Sequence, residues 1–313
     1  MNLQYNKYEP DFFGVGIHRG SLFRLLYDKA LKSNPKLVLR AHVRDIRDVH
    51  TQPKVVLTDG SVSDPYDLVI VSNGAKSSLR SLLPGKKFEQ EYPWGALWGV
   101  FENTGLDSTT LFQRYGGTTR LLGFLPCGDH PETGKRSVSF FWSLRKTDHR
   151  ALVADGLEAF KETLGAFEPD CQLLLNQMTR WEDFAFVSYT DVYLREWMEG
   201  KVIFIGDSAH GMSPQLGLGA NMAIYDGLLT GELLAAGRVN QLHTLATLRR
   251  KQNRFYHRVS RLMTPFFQSD HTLLGHLRDR TFPLLPHLPF IDRLMVETLY
   301  GTRDGLFSRR GLG

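Results

Sequence analysis

The stretch that most constrains this chain is GDSAHGMSPQLGLGAN, Gly206 to Asn221, which follows the apolar run Lys201–Ile205 and opens a long helical segment reaching about Ala236. A continuous apolar strand is the pattern of a parallel sheet covered on both faces. The segment therefore predicts a strand, loop and helix in an open α/β sheet, where loops leaving the carboxyl ends of strands bind ligands. Asp207 can accept hydrogen bonds from a polyol, while Gly217 and Gly219 lack side chains and let backbone amides approach a flat ligand. The helix starting near Ala220 points its positive end at that ligand and favours negative charge there. Ala220, Ala223, Gly227 and Gly231 fall on one helical face, and their small size predicts close packing against a sheet or a ligand. The plain alternative is an ordinary glycine-rich strand-to-helix turn.

Periodicity organises the rest. Gly20 to Ser33 carries Leu22, Leu25 and Leu26 at helical spacing, which predicts an amphipathic helix. Leu37 to Val49 and Lys54 to Leu57 alternate as strands, the turn Asp59-Gly60 follows, and Asp67 to Val71 is a second buried-strand pattern ending at Asn73-Gly74. From Trp94 to Val187 the strands are longer and aromatic: Trp94–Phe101, Leu111–Tyr115, Arg120–Leu125 and Ser137–Leu144 predict a second, antiparallel sheet, with a helical excursion around Leu152–Leu164. The remainder after Ala236 is helical and punctuated by Pro283, Pro286 and Pro289. A second sheet inserted into the first makes a cleft between them, a common place for a ligand.

Charge and composition exclude several classes. The net charge is +5 with a pI near 9.1, and basic residues crowd the last quarter, with Arg249, Arg250, Lys251, Arg254, Arg258 and Arg261 spaced to ring a helix. A solvated helix is the simplest reading of such a run, and an anionic or membrane-surface partner the other. No zinc finger, ribonucleoprotein aromatic pattern or recognition helix accompanies it, so no nucleic-acid partner is expected. The two cysteines, Cys127 and Cys171, have neither disulfide nor metal spacing. No apolar run reaches the roughly 20 residues needed to span a bilayer, and the start lacks a signal-peptide pattern. A cytoplasmic chain without a membrane span or metal is expected.

Three ordered motifs carry a resemblance. Gly206 to Asn221 is similar to the second flavin-contact motif of the flavoprotein aromatic hydroxylases, the para-hydroxybenzoate-hydroxylase-like family of FAD-dependent aromatic-ring monooxygenases. DLVIVSNGAKSSLR, Asp67 to Arg80, resembles the family's aspartate-glycine motif, matching at Asp67, Gly74, Ser77 and Arg80, with Asn73 where a second aspartate is usual. Asparagine keeps the acceptor geometry and loses the charge. GIHRGSLFRLL, Gly16 to Leu26, resembles the segment whose arginine, here Arg19, contacts the flavin side of FAD. By this resemblance the cofactor residues are Arg19, Asn73, Gly74, Arg80, Gly206, Asp207, Pro214, Gly217, Leu218, Gly219, Ala220 and Asn221, with Asp207 on the ribityl chain, Pro214 beside the isoalloxazine, and the amides of 217–221 at its pyrimidine edge, where the reduced ring is negative.

The resemblance implies an α/β fold: an FAD-binding-type sheet, incomplete at the N-terminus, with an inserted, mostly antiparallel substrate-domain sheet and C-terminal helices. Residues 1–90 form a partial FAD-binding domain, 91–190 the substrate-domain sheet, 191–237 a return to the first domain, and 238–313 a helical region. The usual opening strand, G-x-G-x-x-G turn and helix is not found before Arg19. GVGIHRG, Gly14 to Gly20, imitates it with its last glycine one position late and reads as a turn into the helix. A partner chain or second copy is expected to cover the exposed sheet edge. The implied activity is hydroxylation of an aromatic or similarly electron-rich small molecule with FAD as cofactor, NAD(P)H as co-substrate and O2. The alternative is a non-catalytic remnant or subunit that does not hold FAD tightly alone. His210 is a candidate proton donor or a structural hydrogen-bonding group. Trp94, Trp98, Phe140 and Trp142 either line the substrate cavity or belong to the core.

Overall fold

A computed structural model describes residues 3–85, 87–306 and 308. Helix α1 (Arg19–Leu31) precedes a hairpin of β1 (Val43–Arg47) and β2 (Lys54–Leu57), and the short strand β3 (Val69–Val71). Then come β4 (Lys87–Glu102), β5 (Phe112–Gly116), β6 (Arg120–Asp129) and β7 (Arg136–Arg145), the helices α2 (His149–Asp155), α3 (Leu157–Phe167) and α4 (Gln172–Leu175), and β8 (Ala185–Leu194). The chain returns through β9 (Met198–Glu199) and β10 (Val202–Phe204) to the single turn α5 (Asp207–His210) and helix α6 (Gly219–Ala235). Helices α7 (Leu245–Phe267), α8 (Thr272–Thr281) and α9 (Pro289–Tyr300) complete it.

Two sheets carry the site. The first has the order β3-β10-β9, with β3 and β10 parallel and in register from Val69 opposite Val202 to Val71 opposite Phe204. The second has the order β5-β6-β7-β4-β8 and is antiparallel throughout. Alternation divides its residues between two faces. Leu97, Leu122 and Trp142 are cross-strand neighbours on one face, as are Phe124 and Phe140, and all pack against Phe160 and Leu164 of α3. Trp98, opposite Phe141, and Val100, opposite Ser139, lie on the other.

Strands β4 and β8 belong to both halves of the molecule. Their pairing shifts register between Glu91 and Gly95: Gly95–Trp98 pairs with Ala185–Ser188, whereas Lys87–Glu91 pairs with Thr190–Leu194. Beyond the shift, Val192 and Leu194 enter the core of the first sheet with Val71, Val202, Ile203 and Phe204.

The strand, helix and insertion expectations hold, with four corrections. Helix α1 forms but buries none of its residues, and Phe23, Leu25 and Leu26 are each more than half exposed. Strand β3 is an edge strand with Ile70 exposed, so it is not covered on both faces as its apolar sequence suggested. Residues 37–42 form no strand, and Leu37 to Leu39 are exposed. On α6, β-carbons added to Gly227 or Gly231 would meet nothing within 4 Å; of the small-residue face, Ala223 makes the close packing, its β-carbon 3.2 Å from one built on Gly206.

Candidate cofactor and ligand site

The loops leaving the carboxyl ends of β3 and β10 stand side by side. The Ser208 hydroxyl lies 2.8 Å from the Val71 carbonyl and 2.7 Å from that of Ile205, tying α5 across both strands. A β-carbon on Gly211 would sit 3.1 Å from that of Ala75, so the Asn73–Ala75 turn abuts the 206–221 loop. Gly206 has φ 60° and ψ −145°, a region essentially confined to glycine, and this bend turns the chain from β10 into α5. Asp207 is exposed, and its Oδ1 is 3.9 Å from a β-carbon built on Gly219. Its carboxylate therefore sits beside the amino end of α6, where negative charge is favoured.

Beyond α5, Pro214–Leu216 makes one 3-10 turn, and Gly217 ends it in the left-handed region at φ 64°. Leu218 anchors the loop from below, packing with Met222, Phe255 and Tyr256. Pro214, Gly217, Ala220, Asn221 and Asn73 face outward, and β-carbons at Gly217 and Gly74 would meet nothing within 4 Å. The result is an open surface of amides, one carboxylate and two carboxamides at the positive end of a 17-residue helix.

Two expected site residues have other work. Arg80 is 2 % exposed; its guanidinium donates to Glu89 at 2.5 Å, to the Ala75 carbonyl at 2.7 Å and to the Ser208 carbonyl at 3.4 Å. It braces the two loops against each other and has no freedom to reach a ligand. His210 is buried, with Nε2 2.5 Å from Asp226 Oδ2, so of its two expected roles the structural one is observed.

Asp226 is the hub beneath this loop. Its Oδ2 also accepts from the Gly206 N–H at 3.0 Å, and its Oδ1 from Arg249 Nε at 2.8 Å. Burial pushes its carboxyl up, but the His210 hydrogen bond and the charges of His210 and Arg249 outweigh burial and hold it below the ordinary value. Arg249 is fully buried, which corrects the reading of this basic run as an evenly solvated ring. The inner face of α7 is polar, with Gln252, Asn253, His257, Ser260 and Thr264 all buried, while Lys251, Arg254, Arg258 and Arg261 are exposed.

Sequence reasoning missed Asp226 and a second polar layer. Asp226 was visible as the one acid on the buried side of an apolar helix, between Met222 and Thr230. In the second layer, the Tyr92 hydroxyl donates to Asp191 at 2.8 Å, and Ser213 is 2.6 Å from Ser260 and 2.8 Å from Thr264. This layer seats the residue just before Pro214 on α7. His257 lies nearby; its own burial and the charge of Arg261 push its imidazole down to about 4.

The four aromatic candidates divide by face. Phe140 and Trp142 are buried against Phe160 and Phe167, so they are core and do not line a cavity. Trp94 and Trp98 lie on the opposite face, Trp94 under Arg145. Trp98 lines an open cleft of about 170 Å³ together with residues 17–19, Val100, Leu125, Cys127 and Ser139. Arg19 stands over the Trp98 ring at 5.8 Å. Its segment is fixed by the His18 N–H donating to the Cys127 carbonyl at 2.9 Å. Gly16 passes so close to β6 that a β-carbon there would stand 1.9 Å from the Pro126 carbonyl oxygen. Close passage, not phosphate binding, accounts for that glycine.

Residues 38–241 match the family described as the FAD binding domain. The chain belongs to this family. Among curated relatives, it is 26% identical over 234 residues to the aurachin C monooxygenase/isomerase of Stigmatella aurantiaca, covering 71% of this chain and 55% of that one. It is 25% identical to the 6-methylpretetramide 4-monooxygenase of Streptomyces rimosus, covering 75% and 56%. The chain thus spans about half the length of the curated relatives it matches. Its fold is shared with Klebsiella pneumoniae HpxO, solved with FAD and uric acid (TM-score 0.68, 17% identity, 90% of this chain and 72% of that one). It is shared equally with a tetrameric form of 2-methyl-3-hydroxypyridine-5-carboxylic acid oxygenase (TM-score 0.68, 16% identity, 90% and 72%). Membership of an FAD-dependent monooxygenase family agrees with the resemblance carried by the motifs. Among the described residues no helix is long and apolar enough to cross a membrane, and no cluster of His, Cys, Asp or Glu could hold a metal ion.

Proposed function

We propose that the chain binds the isoalloxazine and ribityl end of FAD on the 206–221 loop and serves a monooxygenase reaction on an aromatic or similarly electron-rich small molecule, with NAD(P)H as reductant. The observation that carries this is the open amide surface at the amino end of α6, with Asp207 beside it and the Asn73–Ala75 turn against it. The residues fit the group: Gly217 and Gly74 present bare backbone, Asp207 accepts from ribityl hydroxyls, Pro214 flanks the ring, and the amides of 217–221 meet its electron-rich edge. Bound there, the flavin would supply the redox chemistry with oxygen that side chains cannot. The protein's part is to hold the ring, keep the loop rigid through Asp226, His210 and Arg249, and stabilise negative charge with the α6 dipole.

The test is a titration of the purified chain with FAD, followed by its visible spectrum and by NAD(P)H oxidation. A perturbed flavin spectrum is expected, with affinity falling about ten-fold or more in Asp207→Ala, the scale of a lost charge-assisted hydrogen bond, and with melting unchanged because Asp207 is exposed. A chain that leaves the FAD spectrum untouched defeats the proposal. A second reading, a subunit or remnant that does not hold FAD tightly alone, is favoured by the edge position of β3 and the exposed apolar side of α1. On that reading a partner chain or second copy covers them, and FAD affinity rises with protein concentration or with the partner.

A further inference from the structure

We infer that the outward faces of α7 and α8 form a surface that docks on an anionic lipid bilayer. The inference is independent of the cofactor reading and concerns the side of α7 opposite Arg249. Charge is the first argument. Between Val239 and Arg280 the sequence has eight arginines and lysines and two acids, an excess of six that exceeds the net +5 of the entire chain. Both acids are already taken, Asp270 by Arg145 and Asp279 by Arg278. Soluble surfaces usually intersperse the two signs, yet α7 has no acid in its 23 residues.

Helical geometry gathers that charge on one side. Arg249, Gln252, Asn253, Tyr256 and Ser260 set the buried face of α7, and Lys251, Arg254, Arg258 and Arg261 recur at three- and four-residue intervals on the other. At the ordinary rise of a helix they form a stripe about 15 Å long. Arg261 is 3.6 Å from Asp191, whereas among the described residues no acid pairs with Lys251, Arg254 or Arg258.

Exposed leucines choose the partner. Leu262, four residues beyond Arg258, and Leu273 on α8 are each more than two-thirds exposed. The inner face of α8 is fixed by Gly275, packed on Gly117 and Thr118, and by Arg278, over the Tyr115 ring at 4.7 Å. That leaves Leu273, Leu277 and Arg280 on its outer face, all exposed. Nucleic acid or an acidic protein tail would match the cations and leave the leucines in water. A bilayer with acidic headgroups matches both, because phosphates meet the cations and the leucines enter the acyl boundary.

The experiment uses the full chain with vesicles of phosphatidylcholine alone or mixed equally with phosphatidylglycerol, read by co-sedimentation at low salt. Binding is expected on the acidic vesicles only, and it weakens as salt rises. Lys251→Gln combined with Arg254→Gln is expected to weaken it about twenty-five-fold, about five-fold for each cation, and Leu273→Ser about five-fold or more. All three side chains are exposed, so these variants are expected to melt with the parent. Retention on neither kind of vesicle, or equal retention on both, would overturn the inference. So would unchanged binding of the double variant. Binding that Leu273→Ser keeps in full would also refute the bilayer, and titration with duplex DNA would then show whether a soluble polyanion takes the stripe instead.

Discussion

The two sheets solve the same burial problem with different completeness. In the second sheet, the face carrying Leu97, Leu122, Phe140 and Trp142 is closed by α3 and α4, and Leu122 and Val138 have no exposed surface. In the first, β10 is buried at every position, yet β3 beside it is an edge strand, and α1 turns Phe23, Leu25 and Leu26 outward. The second sheet is thus a finished core whose other face offers a small cleft. The first is a platform whose 206–221 loop is held from below, by polar locks on α6 and α7, more than by apolar packing on both sides. Rigidity at the proposed cofactor loop therefore depends on a few buried charges, whereas rigidity at the cleft depends on many dispersed contacts.

Substitutions can break or sharpen this contrast. The largest effects belong to the two kinds of core. Phe140→Ala is expected to cost about 3–5 kcal/mol in denaturant unfolding, the scale of a large-to-small change in a closed core. Asp226→Asn is expected to cost about 3–5 kcal/mol by leaving Arg249 buried without its counter-charge. Cofactor binding should separate the two: the Asp226 variant also loses FAD affinity, and the Phe140 variant, where still folded, retains it. Equal loss of FAD affinity in both would erase the distinction between the platform and the closed sheet.

Acid should act on the polar layer next. The His257 imidazole is held down from 6.5 to about 4 in the fold, so between those values the unfolded chain takes up a proton that the native one refuses. Stability from this group is complete above about pH 6.5 and is lost as pH falls toward 4, up to about 3 kcal/mol in all. His257→Phe should remove that part of the slope, as measured by urea unfolding from pH 7 to 4. An unchanged slope would place the acid sensitivity elsewhere.

A smaller effect is expected at Gly206, where alanine must adopt φ 60° and ψ −145° and meet Ala223. The cost is about 1–3 kcal/mol, together with weaker FAD binding. The smallest belongs to α1. Leu25→Ser should change stability by less than about 0.5 kcal/mol, since the side chain is 65% exposed. A loss as large as that of Phe140→Ala would mean that α1 is covered in solution, and sedimentation against concentration would show whether a second copy does so.

The sequence disclosed those parts whose signal is local. An apolar run, a glycine loop and a helical pattern lie within one stretch from Lys201 to Ala235, so the strand, loop and helix of the β10–α6 unit were legible, while the short α5 turn inside the loop was not. Aromatic alternation likewise revealed four strands of the second sheet. It could not reveal which face of a strand meets α3, which is why Phe140 and Trp142 were grouped with Trp94 and Trp98. Partnerships across the chain were equally silent. Arg80 has the motif position of a cofactor residue, but Glu89 and Ser208 claim its donors. Arg249 reads as one charge in a basic run because nothing near it in sequence announces Asp226. The exposure of α1 was hidden for the opposite reason: an amphipathic pattern states which side can be buried, not whether anything buries it.

The passage of β4 and β8 through both sheets carries a mechanical consequence. A joint between two lobes usually runs through a thin connector, and here the connector is a hydrogen-bonded pair of strands, with β8 entering the first core through Val192 and Leu194 and β4 entering the second through Leu97 and Phe101. The lobes cannot swing apart without stripping that ladder, so a change in one lobe reaches the other as a pull along paired backbone and not as a hinge motion.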